Sequence, residues 1–221
     1  MPGAEVATRL RGITLVSLVG PSAVGKTTLM RLAAELDPDF GRIVSFTTRK
    51  RREGEGKDTY KYIPHTSATL SQVLRQVTGR ELVQFVVHPT GHLYGSYSTA
   101  YNKPYMMLDT LPSAFGLLSK LPFREIKKVA LVADPNEWRE RFDEHLPHAN
   151  RGERAKRLRE GVQNIRWSLD QVDQILWLDN SHRPAAEVAQ ELIELVKGAK
   201  QSSSWAMTTG QQLLNVMQSM V

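Results

Sequence analysis

The sequence predicts an α/β fold in which a parallel sheet is flanked by helices. Three observations lead there. Short apolar, β-branched runs at 13–19, 105–109 and 128–133 have the length and composition of strands buried on both faces. They alternate with helical periodicity at 27–36, 152–169 and 184–197, the last with Val188, Leu192, Ile193 and Val196 on one face. Between the first strand and the first helix stands Gly20-Pro21-Ser22-Ala23-Val24-Gly25-Lys26-Thr27. This satisfies G-x-x-x-x-G-K-[ST] in the strand–loop–helix order of a P-loop. The expected core is therefore a P-loop NTPase-type parallel sheet.

The loop pattern has a physical reading. Gly20 and Gly25 let the backbone curl so that its N–H groups point inward. They then cradle phosphate oxygens at the positive end of the following helix. Lys26 is expected to reach the β- and γ-phosphates of a bound triphosphate, and the Thr27 hydroxyl to ligate magnesium.

The remaining elements follow in order. Asp37-Pro38 closes the first helix. Residues 43–47 read as a second strand, 49–57 as a charged loop, and 60–63 as a short strand. Helical periodicity at 68–77 ends at Thr78-Gly79, and the strand-like run 82–87 pairs with 93–97 as a hairpin around Thr90-Gly91. This β-rich middle reads as a small acceptor-binding insertion in the parallel core. A helix is expected at 112–121, another at 136–144 after Asp134-Pro135, and a last short strand at 174–178. Residues 201–204 are polar and Ser-rich. Beyond them, 205–221 reads either as a loosely attached helix or as a partner-binding one.

Bulk properties narrow the class. Of 221 residues, 41% are hydrophobic and 24% charged, ordinary for a soluble globular chain, and no apolar run approaches the roughly 18 residues of a membrane span. The first eleven residues run almost directly into the Gly-rich turn, so no secretory signal is expected. Without cysteine there is no disulfide and no thiolate zinc site, and a reducing, cytoplasmic setting suits the chain. The net charge of +6 is concentrated in residues 49–52, four basic residues in a row, and in 151–166, which hold six Lys or Arg. No nucleic-acid module accompanies this charge, so small anionic ligands are the expected partners rather than nucleic acid or membrane.

Several motifs together resemble the guanylate kinase family. Gly20-Pro21-Ser22-Ala23-Val24-Gly25-Lys26-Thr27-Thr28-Leu29 is similar to its loop, G-P-S-[GA]-x-G-K-[ST]-T-L. Val44-Ser45-Phe46-Thr47-Thr48-Arg49-Lys50-Arg51-Arg52 with Gly54-Glu55 resembles V-S-x-T-T-R-x-P-R and G-E. Tyr60-Lys61-Tyr62-Ile63 resembles Y-x-F-[VI], and Gly91-His92-Leu93-Tyr94-Gly95-Ser96 resembles G-N-x-Y-G-[ST]. Residues 133–141 are more loosely similar to the segment before the family's lid, and Lys156-Arg157-Leu158 matches a K-R-L within it. The resemblance runs in order over about residues 13–197.

It implies a domain over 1–200, with a core of 1–42 and 103–200, an insertion at about 43–102, a helical lid at about 140–160, and a tail at 201–221. It implies transfer of a phosphoryl group from ATP, with Mg2+, to a nucleoside monophosphate, GMP or dGMP foremost. The loop residues from Gly20 to Thr28 would bind ATP. Arg49, Arg52, Tyr60 and Tyr94 would hold the acceptor's phosphate, as guanidinium forks and phenolic donors suit a dianion. Ser45 and Ser96 would face the guanine. Lys26, Arg49, Arg141 and Arg157 would stabilise the charge in flight. Thr27 and Asp109, the latter through water, would hold the metal, and Asp109 with Gln84 would also belong to the acceptor-binding set. The chain would be a monomer or a homodimer.

The acceptor half departs from the family in three ways. Gln84 stands where the family has a guanine-reading glutamate, and loses the charge and one acceptor oxygen. Leu111 replaces the second carboxylate of a D-x-D motif, of which Asp109 is the first. Two histidines, His88 and His92, flank the hairpin turn and could meet an anion. Two further readings stay open. One is a kinase of another phosphorylated acceptor, such as ribose 1,5-bisphosphate. The other is a catalytically silent binding module, against which the intact Lys26, Thr27 and Asp109 weigh.

Overall fold

The computed structural model describes residues 2–51, 56, 59–87 and 91–221. Its strands, in chain order, are β1 Thr14–Val19, β2 Phe40–Arg42, β3 Phe46–Thr47, β4 Lys61–Tyr62, β5 Leu82–Val87, β6 Leu93–Tyr97, β7 Tyr105–Asp109, β8 Glu125–Val132 and β9 Leu176–Asp179. Its helices are α1 Ala4–Leu10, α2 Lys26–Leu36, α3 Ser67–Thr78, α4 Phe115–Leu118, α5 Pro135–His145, α6 Arg151–Asp170, α7 Ala185–Lys197 and α8 Ser204–Ser219.

Five strands form the core sheet in the order β2-β7-β1-β8-β9, and every pairing is parallel. β1 is buried along its whole length, so Leu15, Val16, Leu18 and Val19 do not alternate with exposed polar residues, and Thr14 and Ser17 are buried with them. In the register, Leu18 stands opposite Asp109 and Val19 opposite Ala130. The loops leaving β1 and β7 therefore emerge on one edge, the carboxyl edge where open α/β sheets bind ligands. Helices α2 and α7 pack on this sheet together with α5, α6 and α8, and the core they enclose contains Val16, Leu29, Val129, Trp138, Ile165, Leu178 and Leu192.

The second sheet has the order β4-β3-β6-β5. Its hairpin β5–β6 is antiparallel, as expected, with Phe85 opposite Gly95 and Val86 opposite Tyr94. Helix α3 covers one face, where Phe46, Val73, Leu82 and Leu93 form a small core of their own. Thr66 caps α3 by accepting from the Thr69 amide at 3.2 Å.

Three expectations are corrected and one element is new. Of the strand read at 43–47, only Phe46–Thr47, β3, is strand. β2 begins earlier, at Phe40, whose ring stacks on Tyr105 at 4.8 Å. Ile43 still donates to Met107 O at 2.9 Å, after which the chain crosses to the second sheet as β3. The helix read at 112–121 is a 3-10 turn at Pro112–Ala114 followed by the single turn α4.

Helix α1 was not anticipated. Its seven residues bury Val6 and Leu10 against Ile13, Leu15 and Tyr101. Finally, the segment after residue 204 is not loosely attached. α8 buries Ala206, Leu213, Leu214 and Met217 in the main core, and a β-carbon on Gly210 would lie 2.7 Å from the Trp177 ring. Small residues let this helix approach closely, so its apolar stripe looks weak when read as hydrophobicity alone.

Candidate active site

The loop after β1 owes its curl to two residues with positive φ, Ala23 (64°) and Gly25 (104°). Glycine is required at the second for a further reason. A β-carbon on Gly25 would lie 2.5 Å from Asn180 Nδ2. At the loop's start, a β-carbon on Gly20 would lie 2.5 Å from the Leu131 carbonyl oxygen of β8. The loop leads into α2, whose first turn carries no acidic residue to offset its positive end. Thr27 and Thr28 are exposed there, while Pro21 and Val24 are buried and Ser22 and Ala23 partly so.

Lys26 is folded back on its own loop. Its ammonium donates to Gly20 O at 2.8 Å and Pro21 O at 2.9 Å, and lies 3.8 Å from Asp109 Oδ1. Asp109 ends β7 with its carboxylate half exposed at the mouth of the loop. The residues suit magnesium. Thr27 and Asp109 offer hard oxygen ligands on neighbouring elements. Among the described residues there is no cluster of three or more His, Cys, Asp or Glu that would hold a metal unaided. That combination fits an ion shared with nucleotide phosphates.

Three contacts to the loop had no signal in the sequence. Trp138 Nε1 of α5 donates to Ser22 O at 2.9 Å, Asn164 Nδ2 of α6 to Gly20 O at 3.0 Å, and Asn180 Nδ2, just past β9, to Val24 O at 2.9 Å. Each donor is more than a hundred residues from its acceptor. Only the folded sheet brings them together.

The expected lid arginines lie on two helices. Arg141 of α5 donates to Asn180 O at 3.2 and 3.1 Å and pairs with Glu137. Arg157 of α6 pairs with Glu160 at 3.2 Å. Arg154 closes the α5–α6 corner by bonding Leu146 O at 3.2 Å and pairing with Asp143.

Of the residues expected to hold an acceptor's phosphate, Arg49, Tyr60 and Tyr94 converge. Arg49 is buried, its Nε donates to the Tyr94 hydroxyl at 3.1 Å, and its guanidinium lies 5.2 Å from the Tyr60 ring centroid. Tyr62, which the sequence did not single out, supplies a second ring at 5.8 Å. Such stacking suits a planar guanidinium. Arg52 and His88 lie outside the described residues.

Cross-strand partners share a face, so Gln84 opposite Ser96 and Val86 opposite Tyr94 lie on the same side of the hairpin. Ser96, however, is fully buried, and its hydroxyl shares a 2.9 Å hydrogen bond with Tyr101. Burial pushes the Tyr101 phenol well above its ordinary range. Ser45 accepts the Lys61 amide at 2.9 Å through its carbonyl, joining β3 to β4. His92 Nδ1 lies 3.3 Å from His65 Nδ1, one donating to the other. Leu111 is half exposed just past Asp109.

A five-stranded parallel sheet with this loop on its carboxyl edge defines a P-loop α/β fold. No protein-family model matches the chain. Among curated proteins it is similar to the guanylate kinase of Lactococcus lactis, 36% identical over 97 residues, covering 43% of each chain. It is also similar to that of Rhodococcus jostii, 50% identical over 56 residues, 24% of this chain and 27% of that one. To that of Chlamydia pneumoniae it is 48% identical over 54 residues, 23% and 26%. The matched segments thus span about a quarter to two fifths of those relatives' lengths. Among solved structures, the guanylate kinase of Anaplasma phagocytophilum shares the fold, with a TM-score of 0.50 and 16% identity over 87% of this chain and 88% of that one. Together these findings show local sequence similarity to guanylate kinases and a fold shared with one. Among the described residues, no helix is long and apolar enough to cross a membrane.

Proposed function

We propose that the chain transfers the γ-phosphoryl group of ATP to a nucleoside monophosphate, with GMP or dGMP the leading acceptor. A single observation carries this reading. An intact phosphate loop with Lys26 beside Asp109 stands in one chain with a second cationic clamp, Arg49 held by Tyr94. Loop residues Gly20 to Thr28 would bind ATP. Arg49, Arg52, Tyr60 and Tyr94 would hold the acceptor's phosphate, an oxygen of which attacks the γ-phosphorus as the bond to the β-phosphate oxygen breaks and ADP leaves. Magnesium, held by Thr27 and Asp109, would neutralise charge on the ATP phosphates. Little covalent chemistry is asked of the protein, so its work is positioning and charge stabilisation.

For Lys26 this means leaving the Gly20 and Pro21 carbonyls to meet the phosphates. For Arg157 it means exchanging Glu160 for the transferring group, with residues 140–160 acting as the lid. Arg141, fixed on Asn180 O, would support the donor side. The proposed layout keeps 43–102 as the acceptor-binding insertion in a domain over 1–200, set in the cytoplasm.

Gln84 and Leu111 favour a second reading, a kinase of another phosphorylated acceptor such as ribose 1,5-bisphosphate. ADP release should be measured with GMP, dGMP and ribose 1,5-bisphosphate, using wild type, Gln84→Glu and an inactive control, Lys26→Met. Turnover of GMP that rises in Gln84→Glu supports the first reading. Turnover of the ribose phosphate alone replaces it with the second. No turnover together with no ATP binding by calorimetry leaves a silent binding module.

A further inference from the structure

A phosphate loop turns its N–H groups inward, so its carbonyls face the protein and need donors there. Here those donors come from outside the loop and follow its alternation. The carbonyls of Gly20, Ser22 and Val24, every second residue, are taken by Asn164, Trp138 and Asn180 at 3.0, 2.9 and 2.9 Å. The three donors stand on different elements, α6, α5 and the segment after β9. Trp138 is fully buried, and Asn164 and Asn180 nearly so.

We infer that Asn164, Trp138 and Asn180 are positioning residues that hold the loop in its phosphate-receiving curvature, and that Asn164 also frees Lys26 to engage the ligand. The Gly20 carbonyl accepts from two groups, Lys26 Nζ at 2.8 Å and Asn164 Nδ2 at 3.0 Å. When Lys26 swings to a phosphate, Asn164 keeps that buried oxygen bonded. Without Asn164, Lys26 would be its one side-chain donor among the described residues, and releasing Lys26 would orphan the oxygen.

Packing fixes the contact. One turn before Asn164, on the same helix face, a β-carbon on Gly161 would lie 3.0 Å from Pro21 Cβ and 2.2 Å from Met217 Cε. At this glycine helix α6 thus approaches both the first residues of the loop and Met217 of α8 closely. The short asparagine reaches Gly20 because of that approach.

The inference rests on the reading that the loop binds a nucleoside triphosphate, and the test separates the two. Affinities for MgATP and for AMP are measured by calorimetry on the full chain, wild type against Asn164→Leu, which nearly keeps the shape without the donor, and Trp138→Phe, which keeps an aromatic ring, smaller than indole, without the N–H. Both variants are expected to bind MgATP about tenfold more weakly, the ratio one buried neutral hydrogen bond commonly gives. AMP affinity, which does not use the β/γ cradle, should change far less. A general loss of folding would weaken both ligands alike and would overturn the inference. So would MgATP affinity equal to wild type in both variants. If Asn164→Leu does not fold, Trp138→Phe decides. A wild-type chain that binds no MgATP overturns the nucleotide reading itself, and the inference with it.

Discussion

The side-chain amide of Asn180 occupies the space beside Gly25 so closely that a β-carbon there would stand 2.5 Å from its nitrogen. The same amide holds the Val24 carbonyl, while Arg141 grips the Asn180 carbonyl from α5. Loop curvature and strand β9 are therefore coupled through one residue. Gly25→Ala meets two penalties, a φ of 104° that an L residue rarely adopts and the displaced amide. It should cost about 1–3 kcal/mol of stability and weaken MgATP binding at least about tenfold, checked by thermal unfolding and calorimetry. Unchanged affinity would mean that the amide yields without disturbing the loop.

Arg49 is not interchangeable with lysine. Its fork donates to Tyr94 through Nε and to Lys50 O at 3.0 Å, and its plane lies against Tyr60 and Tyr62. An ammonium keeps the charge but neither the fork nor the stacking. With Arg49→Lys the KM for the acceptor should rise roughly tenfold or more, since charge-assisted bonds to a dianion count for about 1.5–3 kcal/mol each. The KM for ATP should stay within about twofold of wild type. Steady-state kinetics with each substrate varied separately would show the split. A rise in both constants would place Arg49 in general stability rather than in the acceptor clamp.

The extent to which this fold could be read from the sequence differed between its two halves. Contiguous features were legible. The strand–loop–helix around Lys26 needs only local order, and the parallel strands β1, β7 and β8 announce themselves as short apolar runs. The hairpin of β5 and β6 was legible from its turn. The outer support of the loop was not. Trp138, Asn164 and Asn180 look like ordinary residues of amphipathic helices and a strand end, and acquire meaning only when the sheet brings them to Gly20, Ser22 and Val24. Ser96 shows the reverse limit. A motif position read as facing the acceptor is buried against Tyr101, a partner that no local pattern indicates. A helix was read after residue 204, but its packing into the core escaped because Ala206 and Gly210 contribute closeness rather than hydrophobicity.

That closeness makes α8 part of the fold. Leu213 is completely buried in the main core. Leu213→Ala should cost about 2–5 kcal/mol, the usual range for a truncated core leucine. Gly210→Val should also destabilise, because the Trp177 ring would have to move. Denaturant unfolding of both variants tests this. A loss under about 0.5 kcal/mol for Leu213→Ala, typical of surface sites, would return α8 to the status of an appendage.

Lys197 at the end of α7 reaches back to Asp37 at the end of α2, Nζ to Oδ2 at 2.6 Å, with Asp39 at 3.8 Å. The hydrogen bond from Lys197 holds the Asp37 carboxyl below the ordinary carboxylate range, more than offsetting burial, which acts to raise it. The same bond lifts the Lys197 ammonium above its usual value. The folded state thus binds the Asp37 proton less tightly than the unfolded chain does. Stability from this carboxylate is fully present above the ordinary aspartate pKa of about 3.9 and is lost as pH falls through the lowered folded value. The lysine contribution is present below its ordinary pKa of about 10.4 and is lost as pH rises through the raised one. Lys197→Met removes both. Its melting temperature should fall less than that of wild type between about pH 5 and pH 2.5, because Asp37 then titrates near its ordinary value in both states. Differential scanning calorimetry across that range, at low salt where exposed pairs are least screened, measures the difference. Parallel acid limbs in the two proteins would mean that the pair contributes nothing to holding α2 against α7.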